Sequence, residues 1–570
     1  MRISFNAIVF SLLAASALSP ALAFAQQAVT GTTDAGRVER NLQLRAAPGL
    51  PAPQAIDVKP AAATEMPAGA ETMSLVLNNI SVDGMTVYSE SDIRGLYADK
   101  IGQTISLADV YGIAAALTAK YRNDGYILTQ VVIPPQTIDG GNVKFQAVEG
   151  YVDQVIVSGS ISEYEIALLN GYAHYIKNAK VTNIRDLEQT MLLINDVPGL
   201  TARSVLSPSA DKVGAADMRI MVEEKPYEGQ IGFDNYGSPY LGENEFSAAF
   251  ATNSLLGMGE RIGIEAVYAP GRELSKELAY VNASYAQPFG PYGTRLKLTA
   301  SKAFTEPGDT LHAFNINGRS TYGELRLEQP VIRTRALSFA LNAQLDARNS
   351  ETTSNIDTKK IDNIRAFRIG ADLDFSDTLL GAAINSLSLT ASRGLGILGA
   401  SDKGDADLTR PSGDPEFTKF ELEAQRLQHI YNNVNLMVGF KGQTSPDALL
   451  SAEEFGVGGA SYGRGYDPSE IVGDKGIAAK AEIQWSPSMG EGFFDGLQAF
   501  GFYDVGRVWN KDATTSAGKI DSLASTGLGV RASFLQGTQL EAFWALPLTV
   551  DVGSRTSQTP RVELKLTRPF

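Results

Sequence analysis

The sequence predicts a mostly β fold, in which a C-terminal antiparallel transmembrane β-barrel of sixteen strands follows two small α+β domains and a short N-terminal helix with a linker. Three observations predict it. From residue 227 onward, about sixteen segments alternate apolar and polar residues, and bacterial barrels have an even number of strands. The connections between these segments alternate between long and short, as the surface loops and inner turns of such barrels do. The mature part has no apolar run of about 18 residues, so membrane-spanning helices are not expected.

The composition limits the function. The chain has 570 residues, of which 64 are acidic and 49 basic, for a net charge of −15, and it has no cysteine. The acidic balance argues against a nucleic-acid partner. Without cysteine, thiol catalysis, disulfides and cysteine-ligated metals are excluded. The histidines (His174, His312 and His429) lack metal-ligand spacing, and no phosphate-binding or serine-hydrolase motif occurs, so we expect no enzyme, cofactor or metal.

The N-terminal 70 residues divide into a signal, a helix and a linker. Residues 1–25 predict a secretory signal peptide, with an apolar run from Ile8 to Leu18 and the cleavage motif Ala23-Phe24-Ala25. Residues 26–70 contain a short helical pattern, Asp34 to Arg45, and then a proline- and alanine-rich stretch typical of an extended linker. The composition of this segment is also compatible with a disordered tail.

Two units of similar length follow, at 71–150 and 151–226, and each predicts the order strand, helix, helix, strand, strand. Ser89 and Ser106 are expected helix N-caps because each has an aspartate three residues later. Such a unit has a mixed sheet with an open edge, which can accept an extended peptide as an added strand. The predicted elements are Leu75–Val82, Ser89–Ile101, Ser106–Asn123, Tyr126–Ile133 and Asn142–Val148, then Val152–Val157, Ser162–Ile176, Asn183–Ile194, Thr201–Leu206 and Asp217–Glu223.

Residues 227–570 have a strand pattern throughout, for example Leu337, Phe339 and Leu341 in alternation with Ser338 and Asn342. A soluble sandwich also alternates, but it gives no reason for the rhythm of long and short connections. The strands are predicted to centre near Phe233, Ala248, Ile264, Val281, Leu298, Leu325, Leu341, Ile369, Leu389, Leu422, Met437, Ala481, Phe502, Val530, Phe543 and Leu564. The predicted long connections include Asn349–Asp362, Gly394–Glu416, Thr444–Asp474, Asn510–Ser522 and Val550–Thr559.

One long connection contains the stretch Tyr462-Gly463-Arg464-Gly465-Tyr466-Asp467. An arginine in this loop must stay in water or meet an anion, because the outside of the barrel is lipid. A candidate anion is Asp504, which shares a strand face with Phe500 and Phe502, opposite to Tyr503 and Val505. If the second face meets lipid, Asp504 faces the lumen, and a loop folded into the barrel can pair Arg464 with Asp504.

These residues resemble the sixth surface loop and partner strand of the two-partner secretion translocators, the TpsB transporters of the haemolysin secretion/activation type. The loop motif of that family is Val-Arg-Gly-Tyr/Phe, and here Gly463 stands in the place of the valine before Arg464-Gly465-Tyr466. The strand motif Phe-x-Asp is Phe502-Tyr503-Asp504. Further similar strings are Gly125-Tyr126, Pro134-Pro135-Gln136, Val148-Glu149-Gly150, Leu193 to Gly199 and the turn Leu255 to Glu260. The resemblance covers about Leu75 to Phe570.

The resemblance implies a location, a function and a set of site residues. It implies a barrel in the outer membrane of a Gram-negative bacterium, with both units in the periplasm as POTRA domains. These bind an unfolded TpsA-like exoprotein, which then crosses the outer membrane. It implies that the N-terminal helix plugs the lumen, and that Gly463, Arg464, Gly465, Tyr466, Phe502 and Asp504 form the loop site. Phe570 resembles the C-terminal signal by which the barrel assembly machinery recognises barrels, although Arg568 departs from it. We expect a monomer in contact with membrane lipids.

Two other functions fit parts of this pattern. A barrel assembly factor has POTRA units and the same loop, but two units and an N-terminal helix with a linker favour the exporter. A passive porin or receptor gives no role to the two units or to Arg464.

Overall fold

The computed structural model describes residues 33–45, 66–271, 276–355, 359–489, 492–511, 519–535, 537–550, 552 and 557–570. The predicted signal peptide and residues 46–65 of the predicted linker lie outside the described residues. Within them, no helix has both the length and the apolar character needed to cross a membrane. The predicted helix at Asp34–Arg45 is present as α1 (Ala35–Arg45).

The first unit contains a three-stranded mixed sheet and one long helix. Its sheet order is β2-β5-β4, with β2 and β5 parallel, and β1 and β3 form a separate two-stranded ribbon. Its elements are β1 (Ser74–Val76), β2 (Asn79–Asp83), α2 (Glu90–Ile93), 3₁₀ turns at Arg94–Leu96 and Ala98–Lys100, β3 (Thr104–Ser106), α3 (Leu107–Asn123), β4 (Gln130–Val132) and β5 (Asn142–Val148).

Three of the elements predicted for this unit differ from the structure. The strand at Leu75–Val82 is divided, because Leu77 and Asn78 turn aside to bond the backbone of Gln103 and Gly141. The helix at Ser89–Ile101 is one α turn followed by 3₁₀ turns, and Gly95, a poor helix former, lies where it breaks. The strand at Tyr126–Ile133 is only β4, because the residues before it form turns that follow α3. Both predicted N-caps are present, with capping boxes from Ser89 to Asp92 and from Ser106 to Asp109.

The second unit has the same strand arrangement. Its sheet order is β6-β8-β7, with β6 and β8 parallel and β7 antiparallel to β8. In both units, the two outer strands of the sheet have an edge without a paired strand in the described part of the chain. The elements are β6 (Tyr151–Gly159), α4 (Glu163–Tyr172), α5 (His174–Asn178), α6 (Ile184–Asn195), β7 (Leu200–Pro208) and β8 (Ala215–Glu224). The helix predicted at Ser162–Ile176 is broken between α4 and α5.

A closed barrel of sixteen antiparallel strands follows, as predicted, and β26 pairs with β9 to complete it. All sixteen predicted centres lie within these strands. The barrel strands are β9 (Tyr227–Asp234), β10 (Glu245–Asn253), β11 (Arg261–Pro270), β12 (Lys276–Phe289), β13 (Thr294–Thr305), β14 (Asn317–Arg333), β15 (Leu337–Thr353), β16 (Lys360–Asp377), β17 (Ala383–Gly394), β18 (Thr418–Tyr431), β19 (Val434–Thr444), β22 (Lys475–Trp485), β23 (Phe494–Trp509), β24 (Ile520–Phe534), β25 (Thr538–Pro547) and β26 (Arg561–Pro569).

Every connection longer than eight residues lies at one end of the barrel, the loop end, and the connections at the other, the turn end, have at most eight. The sixth connection of the loop end, residues 445–474, is called loop 6 here and contains the hairpin of β20 (Phe455–Val457) and β21 (Ile471–Gly473). The predicted connection Asn349–Asp362 is mostly strand, because β15 and β16 continue to Thr353 and from Lys360. Their polar residues there are compatible with strands that extend beyond the membrane.

The second unit packs against three turns at the turn end. The guanidinium of Arg333 donates two hydrogen bonds to Asp196, at 2.8 and 2.7 Å. The hydroxyl of Ser162 donates to the carbonyl of Gly257 at 2.6 Å. Leu193 lies against Gly293, where a larger residue would collide with it. These contacts fix the second unit on the barrel.

The two units are joined by hydrogen bonds around residue 149. The amide of Ile184 donates to the carbonyl of Gly125 at 2.8 Å, and Thr182 to Gly150 at 3.0 Å. The Glu149 carboxylate accepts from the amides of Thr86 and Val87 and from the Tyr121 hydroxyl, at 2.8, 2.9 and 2.7 Å. Burial opposes its ionisation, but these hydrogen bonds hold the pKa of the Glu149 carboxyl below its ordinary value of 4.5.

We therefore expect Glu149→Gln to destabilise the first unit at neutral pH by about 1 kcal/mol, the usual scale of such hydrogen bonds. Because the folded pKa is depressed, this stabilisation is complete above pH 4.5 and is lost as pH falls through the folded pKa. Urea unfolding of a 71–226 fragment at several pH values measures it. The difference between wild type and variant shrinks on acidification, whereas the exposed control Glu90→Gln stays near wild type. A pH-independent difference would contradict the role of the charge.

Candidate functional site in the barrel lumen

The strand alternation separates a lipid face from a lumen face on β23, as predicted. Phe500, Phe502 and Asp504 are buried on the inner side, whereas Tyr503 and Val505 are exposed on the outer side. The same alternation on β22 and β24 turns Glu482 and Arg531 inward. The lumen wall near Asp504 therefore carries charges of both signs.

Loop 6 enters the lumen, and its tip meets this wall. Arg464 is 5 % exposed, and Asp504 is fully buried. The Nε of Arg464 donates to Asp504 Oδ2 at 2.9 Å, and its Nη2 donates to Oδ1 at 2.8 Å. The backbone amides of Gly463 and Arg464 also donate to Oδ2, at 3.3 and 3.1 Å. The carboxylate thus receives a planar fork from the side chain and two bonds from the loop backbone.

Arg464 has two further partners, of which Glu482 was not among the predicted site residues and Phe502 was. Its Nη1 donates to Glu482 Oε2 at 2.6 Å, and its guanidinium lies 3.6 Å from the centroid of the Phe502 ring. Arg531 donates to Glu482 at 2.6 Å, also pairs with Glu541, and lies 3.9 Å from the Phe500 ring centroid. The alternation along β22 and β24 indicates from sequence alone that Glu482 and Arg531 face the lumen. Their position beside Arg464 depends on the register between paired strands, which the sequence pattern does not show.

The glycines and the tyrosine of the motif allow the loop tip to lie close against the lumen wall. Gly463 has φ +96°, a conformation that favours glycine. A side chain at Gly465 would lie about 3 Å from Pro547 and Ser525, so the backbone comes close to the wall there. Tyr466 is fully buried, and its hydroxyl lies 2.8 to 3.0 Å from the carbonyls of Ala524 and Thr549 and the amide of Thr549.

The stem of loop 6 is held by further buried ion pairs. Arg410, from the fifth long connection, contacts Asp474 and Glu454 at 2.7 and 2.8 Å. Glu453 pairs with Arg368 at 2.7 Å and Lys419 at 2.6 Å, both on the lumen wall. These stem residues were not among the predicted site residues.

Helix α1 lies in the lumen against β13, β14 and β15 and the stem of loop 6. Glu39 is fully buried, pairs with Arg348 at 2.6 Å and accepts hydrogen bonds from Ser301 and Ser320. The other face of α1 packs Val38 and Leu42 on apolar side chains of the wall and the first long connection: Leu241, Val267, Ala269, Leu278, Tyr280 and Ala303. The helix therefore fills part of the lumen.

Two carboxylates pair with arginines of helix α1, one from loop 6 and one from the wall. Glu454 pairs with Arg37 of the helix and with Arg410. Glu421 on β18 contacts Arg40 of the helix at 2.6 Å and Lys419 at 3.3 Å. Within the described residues, Nε and Nη1 of the buried Arg37 have no hydrogen-bond partner. The helix is thus held by polar contacts that do not satisfy every donor.

Phe570 lies at the seam of the barrel. It exchanges backbone hydrogen bonds with Gly229, at 2.9 and 3.1 Å, and its ring covers the space that a side chain on Gly229 would occupy. Arg568 continues the outward row of Leu564 and Leu566 at the turn end. Across the residues that the structure describes, no cluster of three or more His, Asp or Glu suits a metal ion.

Comparison with known proteins matches residues 216–532 to the family of haemolysin secretion/activation proteins ShlB/FhaC/HecB, and residues 75–150 to the ShlB-type POTRA domain. The chain is 23% identical to the heme/hemopexin transporter protein HuxB of Haemophilus influenzae over 81% of both chains. It is 22% identical to the outer membrane transporter CdiB of Dickeya dadantii, over 84% of this chain and 85% of that one. The structure of CdiB from Escherichia coli has a TM-score of 0.71, with 21% identity over 89% of this chain and 92% of that one.

The family match spans more than half of the chain and includes most of the barrel with its lumen residues. The closed barrel and the POTRA domain at residues 75–150 agree with it. The chain belongs to the haemolysin secretion/activation protein family ShlB/FhaC/HecB and is an outer-membrane transporter of the two-partner secretion type.

Proposed function

We propose that the protein binds its unfolded partner exoprotein in the periplasm and passes it as an extended chain through the barrel lumen to the cell surface. The carrying observation is that two segments of the chain itself, α1 and loop 6, occupy the lumen. Both meet the wall through buried ion pairs and hydrogen bonds as well as through apolar side chains. The charged and hydrogen-bonding groups can find new partners in water or on the substrate when a segment moves.

The substrate binds first at the unit of residues 71–150. Its mixed sheet has two outer strands, β2 and β4, and an open strand edge pairs with an extended peptide through backbone hydrogen bonds. Helix α3 lies beside β4 and exposes the small residues Gly112 and Ala115, so a chain can approach closely. Residues 151–226 form a second POTRA domain of the same strand order, which positions the first beneath the barrel.

The lumen suits transport of a chain of unspecified sequence. Arginines, lysines and carboxylates alternate on its wall, for instance Lys297, Glu324, Arg326, Glu423 and Lys441. A wall of mixed charge hydrates an extended chain without tight binding. No nucleotide site is required, and folding of the exported chain outside the cell supplies the direction.

The ion pair of Arg464 with Asp504 holds loop 6 in its resting position. It is the central contact of a site that also includes Gly463, Gly465, Tyr466 and Phe502. Movement of the loop during transport requires both charges to find water or new partners. The resulting barrier keeps the lumen closed until substrate arrives.

The protein acts as a monomer, and the barrel assembly machinery recognises Phe570 at the end of the last strand during insertion.

Deletion of residues 75–150 is expected to abolish secretion of the partner exoprotein, because the strand edge that captures it is removed. The barrel is expected to insert and to remain heat-modifiable on gels, because the second unit supplies the contacts to the turns. Exoprotein in the medium is measured by immunoblot. Wild-type secretion after this deletion would exclude the first unit as the receptor.

Removal of residues 26–70 is expected to raise ion conductance in planar bilayers, because α1 occupies the lumen, while secretion largely persists. Glu39→Ala should raise the frequency of open events to a smaller extent, since it frees Arg348 and two serines from the helix. Glu223→Ala, at an exposed site on β8, is the matched control. If the deletion leaves conductance at the wild-type level, α1 does not control the pore.

Arg464→Ala and Asp504→Ala should each strongly reduce secretion while the barrel still inserts. Removal of one partner leaves the other charge buried, at a cost of about 3–5 kcal/mol if burial is complete and less if water reaches it. The exchange of Arg464→Asp with Asp504→Arg should restore part of the loss, because the new arginine does not reproduce the fork.

The control for this pair is Lys403→Ala, which breaks an exposed ion pair with Asp414 in the fifth long connection. Exposed pairs contribute little, so this variant should secrete normally. Full secretion by Arg464→Ala would show that the loop is not organised around this residue.

A further inference from the structure

The outer surface of the barrel carries a row of basic residues near the loop end. On six strands, the first charged residue that follows the outward apolar positions toward the loops is basic. These residues are Lys302 on β13, Arg319 on β14, Arg365 on β16, Arg393 on β17, Lys475 on β22 and Arg507 on β23. On β15 the corresponding residue is Glu351. The chain has 64 acidic and 49 basic residues, so its composition favours the opposite sign.

The outward orientation of these residues follows from strand parity. Leu298 and Ala300 precede Lys302 in its outward row, and Leu298 is exposed. Tyr503 and Val505, both exposed, precede Arg507 in the same way. The basic residues therefore lie where the lipid-facing band ends.

The opposite end of the barrel has a smaller excess, because Arg568 on β26 is, among the described residues, its one outward basic residue without an ion pair. There, the outward Asp377 on β16 and Arg426 on β18 form an ion pair at 2.7 Å and cancel one another. Asn385 and Gln428 complete the hydrogen bonds of Arg426. The two membrane boundaries of the protein thus differ in charge, and the loop end is the more positive of the two.

Two members of the row, Lys302 and Arg319, form a basic patch around Phe304 together with Lys276 on β12, whose ammonium group lies near the same ring. The ammonium groups of Lys276 and Lys302 lie 5.0 and 4.9 Å from the centroid of the Phe304 ring. Phe304 pairs directly with Arg319, and Lys302 with Thr321, so Lys302 and Arg319 are diagonal neighbours on one face.

The patch keeps a positive excess after its own ion pairs are counted. Lys276 contacts Glu306 at 2.9 Å. Glu351 contacts Arg319 at 2.8 Å and Lys359 at 2.9 Å. In these ion pairs the three cations of the patch meet two carboxylates, and Lys359 beside the patch is a further cation on one of them. Arg319 has 60% of its side chain exposed, so its guanidinium is accessible.

We propose that this patch binds the phosphate groups of an anionic lipid in the outer leaflet of the membrane. An arginine fork and nearby ammonium groups are the usual recognition elements for phosphate. The patch continues directly into the exposed apolar wall of Leu298, Leu325 and Leu327, along which acyl chains can lie. An amphipathic ligand with its phosphate at the membrane boundary contacts both the basic patch and the apolar wall, whereas a soluble polyanion contacts only the basic patch.

The test compares full-length wild type with the variant Lys276→Gln/Lys302→Gln/Arg319→Gln in detergent micelles. The probes are lipid A with its phosphates and lipid A from which they have been removed. Bound lipid is counted by native mass spectrometry across a titration. The variant Lys144→Gln/Lys180→Gln/Lys212→Gln changes the net charge equally at exposed positions of the two periplasmic units and serves as the control.

We expect the patch variant to bind phosphorylated lipid A at least tenfold more weakly than wild type and the control do. All three proteins should bind the dephosphorylated lipid equally. Unchanged binding of phosphorylated lipid A by the patch variant, or equal binding of both lipids by wild type, would overturn the proposal. If the triple variant is not heat-modifiable, the single Lys302→Gln variant replaces it, with a threefold or greater loss expected and no loss as the contrary result.

Discussion

The structure depends on the requirement that every backbone polar group in the membrane be paired within the protein. The pairing of β26 with β9 meets it by closing the barrel, so that no strand edge faces lipid. In the closed barrel of sixteen strands, one face of each strand contacts lipid and the other faces the lumen, so successive residues along a strand alternate between the two. The lumen of such a barrel is too wide for the wall side chains alone to fill. The protein fills it with α1 and loop 6.

The polar character of the lumen decides how these two segments are held. The lumen face carries charged residues beside apolar ones, so the segments carry their own charges and pair with the wall in addition to their apolar contacts. Asp504 forms an ion pair with Arg464, Glu453 with Arg368 and Lys419, and Arg348 with Glu39. Each buried charge is stabilised by a partner at short distance, and each would be costly if left alone. Glu454 and the Ala452 carbonyl of the loop bind Arg37 and Arg40 of the helix, so a shift of one segment changes the surroundings of the other.

The periplasmic part combines a fixed and an exposed unit. The second unit is anchored to the turns through Asp196 with Arg333 and through Ser162 with Gly257. The first unit contacts the second through the hydrogen bonds of Gly125 with Ile184 and of Gly150 with Thr182, and the outer strands of its sheet have unpaired edges among the described residues. This division places the open strand edges away from the barrel contacts, where an incoming chain has access. The outer wall of the barrel shows a second division, between a turn end with few outward charges and a basic loop end.

The barrel was predictable from sequence because its signals are local. Alternation with a period of two marks each strand and assigns its faces, and loop length marks the ends, so all sixteen strand positions and the inward direction of Asp504 followed from the sequence. The helix Ala35–Arg45, the capping boxes and the order of elements in both units are also set by short-range chemistry. The errors lay where long-range contacts override local preference, as at Leu77, which leaves its strand to bond the backbone of Gln103. The loop motif suggested Arg464 with Asp504 through its resemblance to a family.

Only the tertiary structure decided which charges meet in the lumen. Glu482 and Arg531 lie 18 and 67 residues from Arg464 along the chain, and the register of β22 to β24 brings them to it. The ion pair of Arg410 with Asp474 and the contacts of α1 depend on how the fifth and sixth long connections and the helix pack inside the closed barrel. The basic patch on β12 to β14 likewise arises from pairing, since Lys302 and Arg319 become neighbours only in that register. Sequence by itself fixed the faces and lengths of the strands, because these depend on neighbours in the chain. The closed geometry fixed the partners across the lumen, because these depend on residues distant in sequence.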